Sequence, residues 1–127
     1  MMNNSIIMGL LFCGLSSVWS AFQPAELHSH GMITGHVQHH EQPIPSAMVY
    51  IKYGVTEFPG VDPSAYDDST IANPSNGQYL FENLSRGSYY IYAKGFDRTV
   101  IDSVAGGVSI EISKHDEIVE INVPVTE

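Results

Sequence analysis

Residues 76–94, NGQYLFENLSRGSYYIYAK, contain two runs of strand-forming residues, at 78–82 and 88–94. Apolar and polar side chains alternate in both runs, and a period of two predicts strands with one face against a core. The Asn76-Gly77 pair before them predicts a tight turn, because both residue types tolerate positive φ. The alternation directs five side chains inward, namely Tyr79, Phe81, Tyr89, Ile91 and Ala93.

Similar alternation recurs on both sides of this stretch. It predicts further strands at residues 32–40, 47–53, 108–113 and 119–123. Residues 95–107, which end in Gly106-Gly107, are predicted to be an irregular connection. Since no window has a sustained apolar repeat of 3.6 residues, we expect little or no helix after the N-terminal segment. Short strands separated by turn signals indicate an all-β sandwich.

The same residues carry a resemblance to a known family. Thr70, the Asn76-Gly77 pair and the pattern Tyr79-x-Phe81-x-Asn83-Leu84-x-x-Gly87-x-Tyr89-x-Ile91-x-Ala93 resemble the signature of carboxypeptidase regulatory-like domains. This resemblance implies a seven-stranded (six to eight) antiparallel, transthyretin-like Greek-key β-sandwich. It also implies a non-catalytic module, because such domains serve many host proteins without an activity of their own.

Composition limits the classes of function. The chain has 127 residues, which is enough for one domain, and 14 acidic residues against 5 basic ones give a net charge of −9. This charge argues against a nucleic-acid partner. Cys13 is the single cysteine, and there is no Gly-x-Ser-x-Gly motif, so neither a thiol nor a serine nucleophile is indicated. We therefore predict no enzyme and no cofactor.

The N-terminal segment is typical of an exported protein. Residues 1–21 contain a short apolar tract and then small residues, which predicts a signal peptide cleaved near Ala21. The tract is shorter than the roughly twenty residues of a membrane span. Lipid attachment at Cys13 and a retained N-terminal anchor are the alternatives. Residues 22–30 are predicted to be a linker and residues 31–127 the β-sandwich domain, in a periplasmic or extracellular location.

Five of the six histidines lie early in the chain and suggest a metal site. His28 and His30 are one residue apart, and His36 on the first predicted strand could join them, since imidazole suits zinc, copper and nickel. The alternative is that these histidines are simply solvated. His39 and His40 point to opposite faces if the chain is extended there. A divalent-metal-binding protein using His28, His30 and His36 is therefore the alternative function.

Aromatic residues supply the other candidate site. The connection at residues 54–69 is long for a sandwich and contains Phe58 and Tyr66, while Tyr90 and Tyr92 face outward by parity. Tyrosine combines stacking area with a polar tip, which suits a protein or glycan ligand. The alternatives are that the connection folds over the open end of the sandwich, burying Phe58 and Tyr66, and that the strand tyrosines are ordinary cross-strand pairs. The leading prediction is an exported binding or structural module of the cell envelope.

Overall fold

The structure is a computed structural model and describes residues 31–127. The predicted signal peptide and linker lie outside these residues. The regular structure of the described chain consists of β-strands and one three-residue 3-10 helix at Pro63–Ala65. The strands are β1 Gly31–His39, β2 Gln42–Pro43, β3 Met48–Tyr53, β4 Asp68–Ile71, β5 Gln78–Leu84, β6 Gly87–Asp97, β7 Asp102–Ile112, β8 Ile118–Glu120 and β9 Val123–Pro124. Within residues 31–127, no helix is long and apolar enough to cross a membrane.

Two sheets face each other across the core, which confirms the predicted all-β sandwich. Sheet A is built around β1, which pairs with β2 and β5 in antiparallel orientation and with β8 and β9 in parallel orientation. Sheet B has the order β4-β3-β6-β7 and is antiparallel throughout. The two strands of the opening stretch belong to different sheets: β5 lies in sheet A and β6 in sheet B.

The inward faces of the strands are those that the alternation predicts. Tyr79 and Phe81 on β5, and Tyr89, Ile91 and Ala93 on β6, are all buried. They share one cluster with Ile33, Val37, Ile44, Ala47, Val49, Ile51, Ala72, Leu84, Val104, Ile112, Val123 and Val125. Burying a side chain of this size stabilises the fold by about 1.5–3 kcal/mol. The Tyr79 hydroxyl donates to the Ile121 carbonyl at 2.7 Å, so this buried tyrosine leaves no polar atom unpaired.

The prediction that residues 95–107 form an irregular connection is wrong. β6 continues to Asp97 and β7 begins at Asp102, so these strands pair along their full length around a turn at 98–101. The glycines suggested a break, but they permit close packing instead. A Cβ on Gly106 would lie 2.1 Å from the Pro124 carbonyl oxygen, so only glycine lets the chain after β8 pass this close to β7.

Strand number and orientation also differ from the expectation. Residues 31–127 contain nine strands where seven (six to eight) were expected, partly because the predicted strand at 119–123 is interrupted between β8 and β9. Gly35 on β1 lies against the backbone at this interruption, and its added Cβ would be 1.8 Å from the Ile121 carbonyl oxygen. Both short strands run parallel to β1, whereas an entirely antiparallel sandwich was expected.

Candidate functional site

The outer face of sheet B carries a cluster of aromatic rings, here called the aromatic surface, formed by Tyr50, Phe58, Tyr66, Tyr90 and Tyr92. Tyr50 on β3 and Tyr92 on β6 are directly opposite each other, with ring centroids 6.2 Å apart and nearly parallel planes. Their sequence neighbours Ile51 and Ile91 point into the core. The strand alternation therefore places these tyrosines on the opposite side of the sheet.

The segment 54–67 folds across this face and brings two more rings onto it. The Tyr66 ring lies over both strand tyrosines, 5.5 Å from Tyr50 and 5.8 Å from Tyr92, and is almost parallel to the latter. Phe58 lies 5.3 Å from Tyr92 and 5.9 Å from Tyr90. All four predicted ligand-binding residues, Phe58, Tyr66, Tyr90 and Tyr92, thus meet in one place. The segment covers the face of sheet B and not the open end of the sandwich, which corrects that expectation.

Polar contacts hold both ends of the segment. The Asp67 carboxylate accepts from the Tyr53 backbone N–H at 2.8 Å and lies 3.5 Å from the Lys52 ammonium. The Asp67 N–H donates to the Ile51 carbonyl at 2.9 Å. Asp62 caps the 3-10 helix through the Ser64 N–H, which lowers the pKa of that carboxyl. These bonds fix the path of the segment, so the rings that it carries have a defined place.

A hydrogen bond within the segment orients Tyr66. Its hydroxyl donates to the Gly60 carbonyl at 2.7 Å. Burial, together with the neighbouring Tyr92 and Tyr90, raises the pKa of Tyr66 to about 12. Tyr66 is therefore neutral at physiological pH and acts as a packing and hydrogen-bonding group.

The rings of the aromatic surface are not equally accessible. Tyr92 is only 5% exposed because Tyr66 and Phe58 cover it, whereas Phe58 is 51% exposed. Tyr90 is half-buried, and its ring lies over Gly107 of β7, where a Cβ would be 2.6 Å from Cε1. Tyr66 is half-buried as well, so Phe58, Tyr66 and Tyr90 are the members that a ligand could contact directly. Tyr50 and Tyr92 are the buried rings that support them.

The predicted metal ligands are not brought together among the described residues. His28 and His30 lie outside residues 31–127. His36 is half-buried on β1, and its backbone N–H donates to the Asn122 side chain at 2.9 Å. The arrangement of these three histidines as a site stays a prediction.

A different histidine cluster lies at the far end of β1. The buried His39 ring is held between two carboxylates: Nδ1 is 2.6 Å from Oδ2 of Asp97, and Nε2 is 3.2 Å from Oε1 of Glu127. The His40 ring lies beside it, with centroids 4.0 Å apart. We call His39, His40, Asp97 and Glu127 the histidine cluster.

Hydrogen bonds and charge lower the pKa of Asp97 and raise the pKa of His39 in this cluster. The Thr99 hydroxyl at 2.6 Å, then His39 and the Thr99 N–H, lower the pKa of Asp97 to about 2. The hydrogen bond to Asp97 raises the pKa of His39 despite its burial, and the charge of Glu127 adds to this. The two carboxylates thus create a negative environment that favours the positively charged form of the His39 imidazole.

His39 and His40 were expected to point to opposite faces only if the chain is extended there, and it is not extended at His40. His40 and Glu41 have φ values of 52° and 67° and form the two-residue turn between β1 and β2. Positive φ at both central residues is the geometry of a type I′ turn, which usually contains Asn or Gly. The sequence lacks this turn signal, so the juxtaposition of the two rings could not be predicted from it.

Comparisons with known proteins bear on the fold. No protein-family model matches the chain, and neither does any curated protein. Among solved structures, the major pilin subunit BcpA of Bacillus cereus is similar, with a TM-score of 0.52 and 14% identity over 77% of this chain. The match covers 30% of that pilin. A candidate carbohydrate binding protein from Pseudomonas aeruginosa matches with a TM-score of 0.45 and 14% identity, over 76% of this chain and 89% of its own. The pilin likeness supports the β-sandwich fold.

Proposed function

We propose that this chain is an exported, non-catalytic β-sandwich module that binds a protein or glycan partner in the cell envelope through its aromatic surface. The observation that carries this proposal is the exposed Phe58 ring beside the half-buried Tyr66 and Tyr90, over the buried pair Tyr50 and Tyr92. Membership in the carboxypeptidase regulatory-like family, suggested by the signature at residues 70–93, is part of the same proposal.

The aromatic surface has the properties of a prepared contact area. Aromatic side chains offer a large area while losing little conformational entropy on binding, since only two torsions are fixed. The Phe58 ring is already held by Tyr90 and Tyr92, and the bonds of Asp67 fix the segment that carries it. Such preorganisation reduces the entropic cost of binding. The C–H face of a sugar ring or an apolar peptide side chain would pack on these rings.

The segment that carries Phe58 and Tyr66 exposes a further apolar side chain, since Val61 is 64% exposed. The net charge of −9 disfavours phosphate-rich or otherwise strongly anionic ligands. We therefore expect a neutral or cationic partner, namely a neutral glycan or a peptide segment without acidic residues.

Glycan and peptide arrays probed with the labelled full chain test this proposal. We expect Phe58→Ala to weaken binding to the positive spots by about tenfold or more, as for an aromatic residue at the centre of an interface. Phe96→Ala is the matched control, because Phe96 is the same residue type and is 50% exposed at the far end of β6. Equal binding by both variants would show that the ligand contacts another surface.

A structural role in an envelope assembly is the second candidate, since the fold is similar to part of a pilin subunit. In that case the arrays give no specific ligand, and the protein from native envelope fractions is recovered in a larger assembly. Size measurement of the extracted protein separates this role from the binding role.

A further inference from the structure

The histidine cluster has the donor set of a divalent-metal site. One nitrogen each from His39 and His40 and one carboxylate oxygen from Glu127 all lie within 4.8 Å of one another. Two imidazoles and one carboxylate are a common ligand set for zinc and other first-row divalent metals. His39 is buried, whereas His40 and Glu127 are exposed, so a metal ion could reach the site from solvent.

The distances suit a metal ion without a large rearrangement. Zinc bonds to nitrogen and oxygen of about 2.0–2.1 Å place tetrahedral ligands about 3.3 Å apart. Nε2 of His39 and Oε1 of Glu127 are 3.2 Å apart, which already matches this distance between two ligands. A ring nitrogen of His40 lies within 4.8 Å of both atoms, and this exposed side chain would have to turn about its torsions to close the remaining distance.

Asp97 fixes the nitrogen of His39 that would face the metal. Its carboxylate lies 2.6 Å from Nδ1 and accepts a hydrogen bond from that N–H, so Nε2, on the side of Glu127, is the nitrogen at which a metal ion would replace a proton. Metal-binding histidines are commonly oriented by a carboxylate in this way. Asp97 is itself held by the Thr99 N–H at 2.8 Å and the Thr99 hydroxyl at 2.6 Å. The ring of His39 is therefore oriented before any metal arrives.

The turn between β1 and β2 supplies the third ligand. The left-handed conformations of His40 and Glu41 are unfavourable for residues other than glycine, asparagine and aspartate. This turn nevertheless brings the His40 ring to 4.0 Å from the His39 ring. Both histidines line a surface depression of about 360 Å³ that Asn122, Pro124 and Thr126 also border.

We propose that His39, His40 and Glu127 bind a first-row divalent cation, with Zn²⁺ as the expected ion, and that Asp97 orients His39. The site lies where β1 and β6 end and shares no residue with the aromatic surface, so it does not depend on the proposed ligand-binding role. It also differs from the site predicted at His28, His30 and His36, because it uses none of those histidines.

Calorimetric titration of the metal-free full chain with Zn²⁺ tests the site, and Co²⁺ absorption gives an independent readout of the coordination. We expect one Zn²⁺ to bind per chain at micromolar concentrations. We also expect the visible absorption of bound Co²⁺ to be that of an ion with a low coordination number. His40→Asn and Glu127→Gln should each weaken Zn²⁺ binding by about tenfold or more. Asparagine tolerates the left-handed conformation at position 40, so the first variant keeps the turn. Both variants change exposed side chains and leave the buried His39 in place.

Two further variants complete the experiment. Glu41→Gln is the matched control, because it removes a carboxylate from the same turn without touching the ligand set, and it should bind Zn²⁺ like the wild type. A chain with His28→Ala, His30→Ala and His36→Ala should also retain binding. No Zn²⁺ binding by the wild type overturns the proposal. So does binding that survives His40→Asn and Glu127→Gln but is lost in the triple variant, since that result places the ion at the N-terminal histidines.

Discussion

Nδ1 of His39 lies 2.6 Å from Oδ2 of Asp97, although the two residues are 58 positions apart in the chain. His39 is the last residue of β1 in sheet A, and Asp97 is the last residue of β6 in sheet B. Both are buried, and they are the polar members of an otherwise apolar interior among residues 31–127. This pair therefore links the two sheets at one end of the sandwich.

Removing one member of this pair should destabilise the protein. Asp97→Ala leaves the buried His39 imidazole without its partner, and an unpaired buried polar group is unfavourable. We expect a lower midpoint of urea unfolding than for Asp102→Ala, which removes an exposed carboxylate five residues further along. The double variant His39→Ala with Asp97→Ala should lose less stability than the sum of the two single variants. Strict additivity would contradict a direct interaction.

A second prediction concerns the contact between Gly35 and the chain segment that joins β8 to β9. The Cβ of Gly35→Ala would be 1.8 Å from the Ile121 carbonyl oxygen and 2.5 Å from its carbon, and neither backbone atom can rotate away. We expect a loss of about 3 kcal/mol or more in the free energy of unfolding, at the upper end for overpacking.

The control for this prediction is Gly54→Ala, since no atom lies within 4 Å of the added Cβ there. Only the positive φ of 80° makes that substitution unfavourable, by about 1–2 kcal/mol. Urea unfolding of both variants gives the comparison. Equal losses would mean that the approach of Ile121 to Gly35 does not constrain the fold.

The parts of the fold that the sequence predicts are those that depend on local alternation. Tyr79, Phe81, Tyr89, Ile91 and Ala93 are buried as expected because neighbouring residues of a strand necessarily face opposite sides. The glycines of β7 were misleading because the same residue type ends a strand or allows two chains to pass closely. Only the three-dimensional neighbour distinguishes these cases, here the Pro124 carbonyl against Gly106.

The candidate sites also consist of a part that local alternation predicts and a part that depends on neighbours distant in the sequence. Parity places Tyr90 and Tyr92 outward, but their contact with Phe58 and Tyr66 depends on the path of a connection that has no periodicity. The histidine cluster depends on partners that are 58 and 88 positions away from His39. It also depends on a turn whose residues carry no turn signal. Neither feature leaves a local pattern in the sequence.

A third prediction separates support from contact within the aromatic surface. Tyr92 is 5% exposed beneath Phe58 and Tyr66, so Tyr92→Ala should lower the free energy of unfolding by about 3 kcal/mol. Phe58→Ala removes ring contacts worth about 1 kcal/mol from a half-exposed position. Urea unfolding measures both losses, provided that the slope of the unfolding free energy against urea concentration is the same in each variant as in the wild type. An equal or larger loss for Phe58→Ala would show that Phe58 serves stability and not contact with a ligand.

The fourth prediction follows from the raised pKa of Tyr66. Burial, and then the neighbouring Tyr92 and Tyr90, raise the pKa of this phenol to about 12 in the folded protein. The ordinary value, which applies to the unfolded chain, is about 10. Because the folded pKa is the higher one, the contribution of Tyr66 to stability is fully present below about pH 10 and is lost as the pH rises towards 12.

Tyr66→Phe tests this dependence, since it keeps the ring on Tyr50 and Tyr92 and removes the ionisable hydroxyl. At neutral pH the variant should lose about 1 kcal/mol, because the Gly60 carbonyl no longer receives its hydrogen bond. Burial also raises the pKa values of Tyr53 and Tyr79, so some alkaline destabilisation should remain. The decline in unfolding free energy between about pH 8 and pH 11 should nevertheless be smaller than in the wild type. An identical decline in both proteins would mean that the Tyr66 hydroxyl ionises as readily in the folded state as in the unfolded chain.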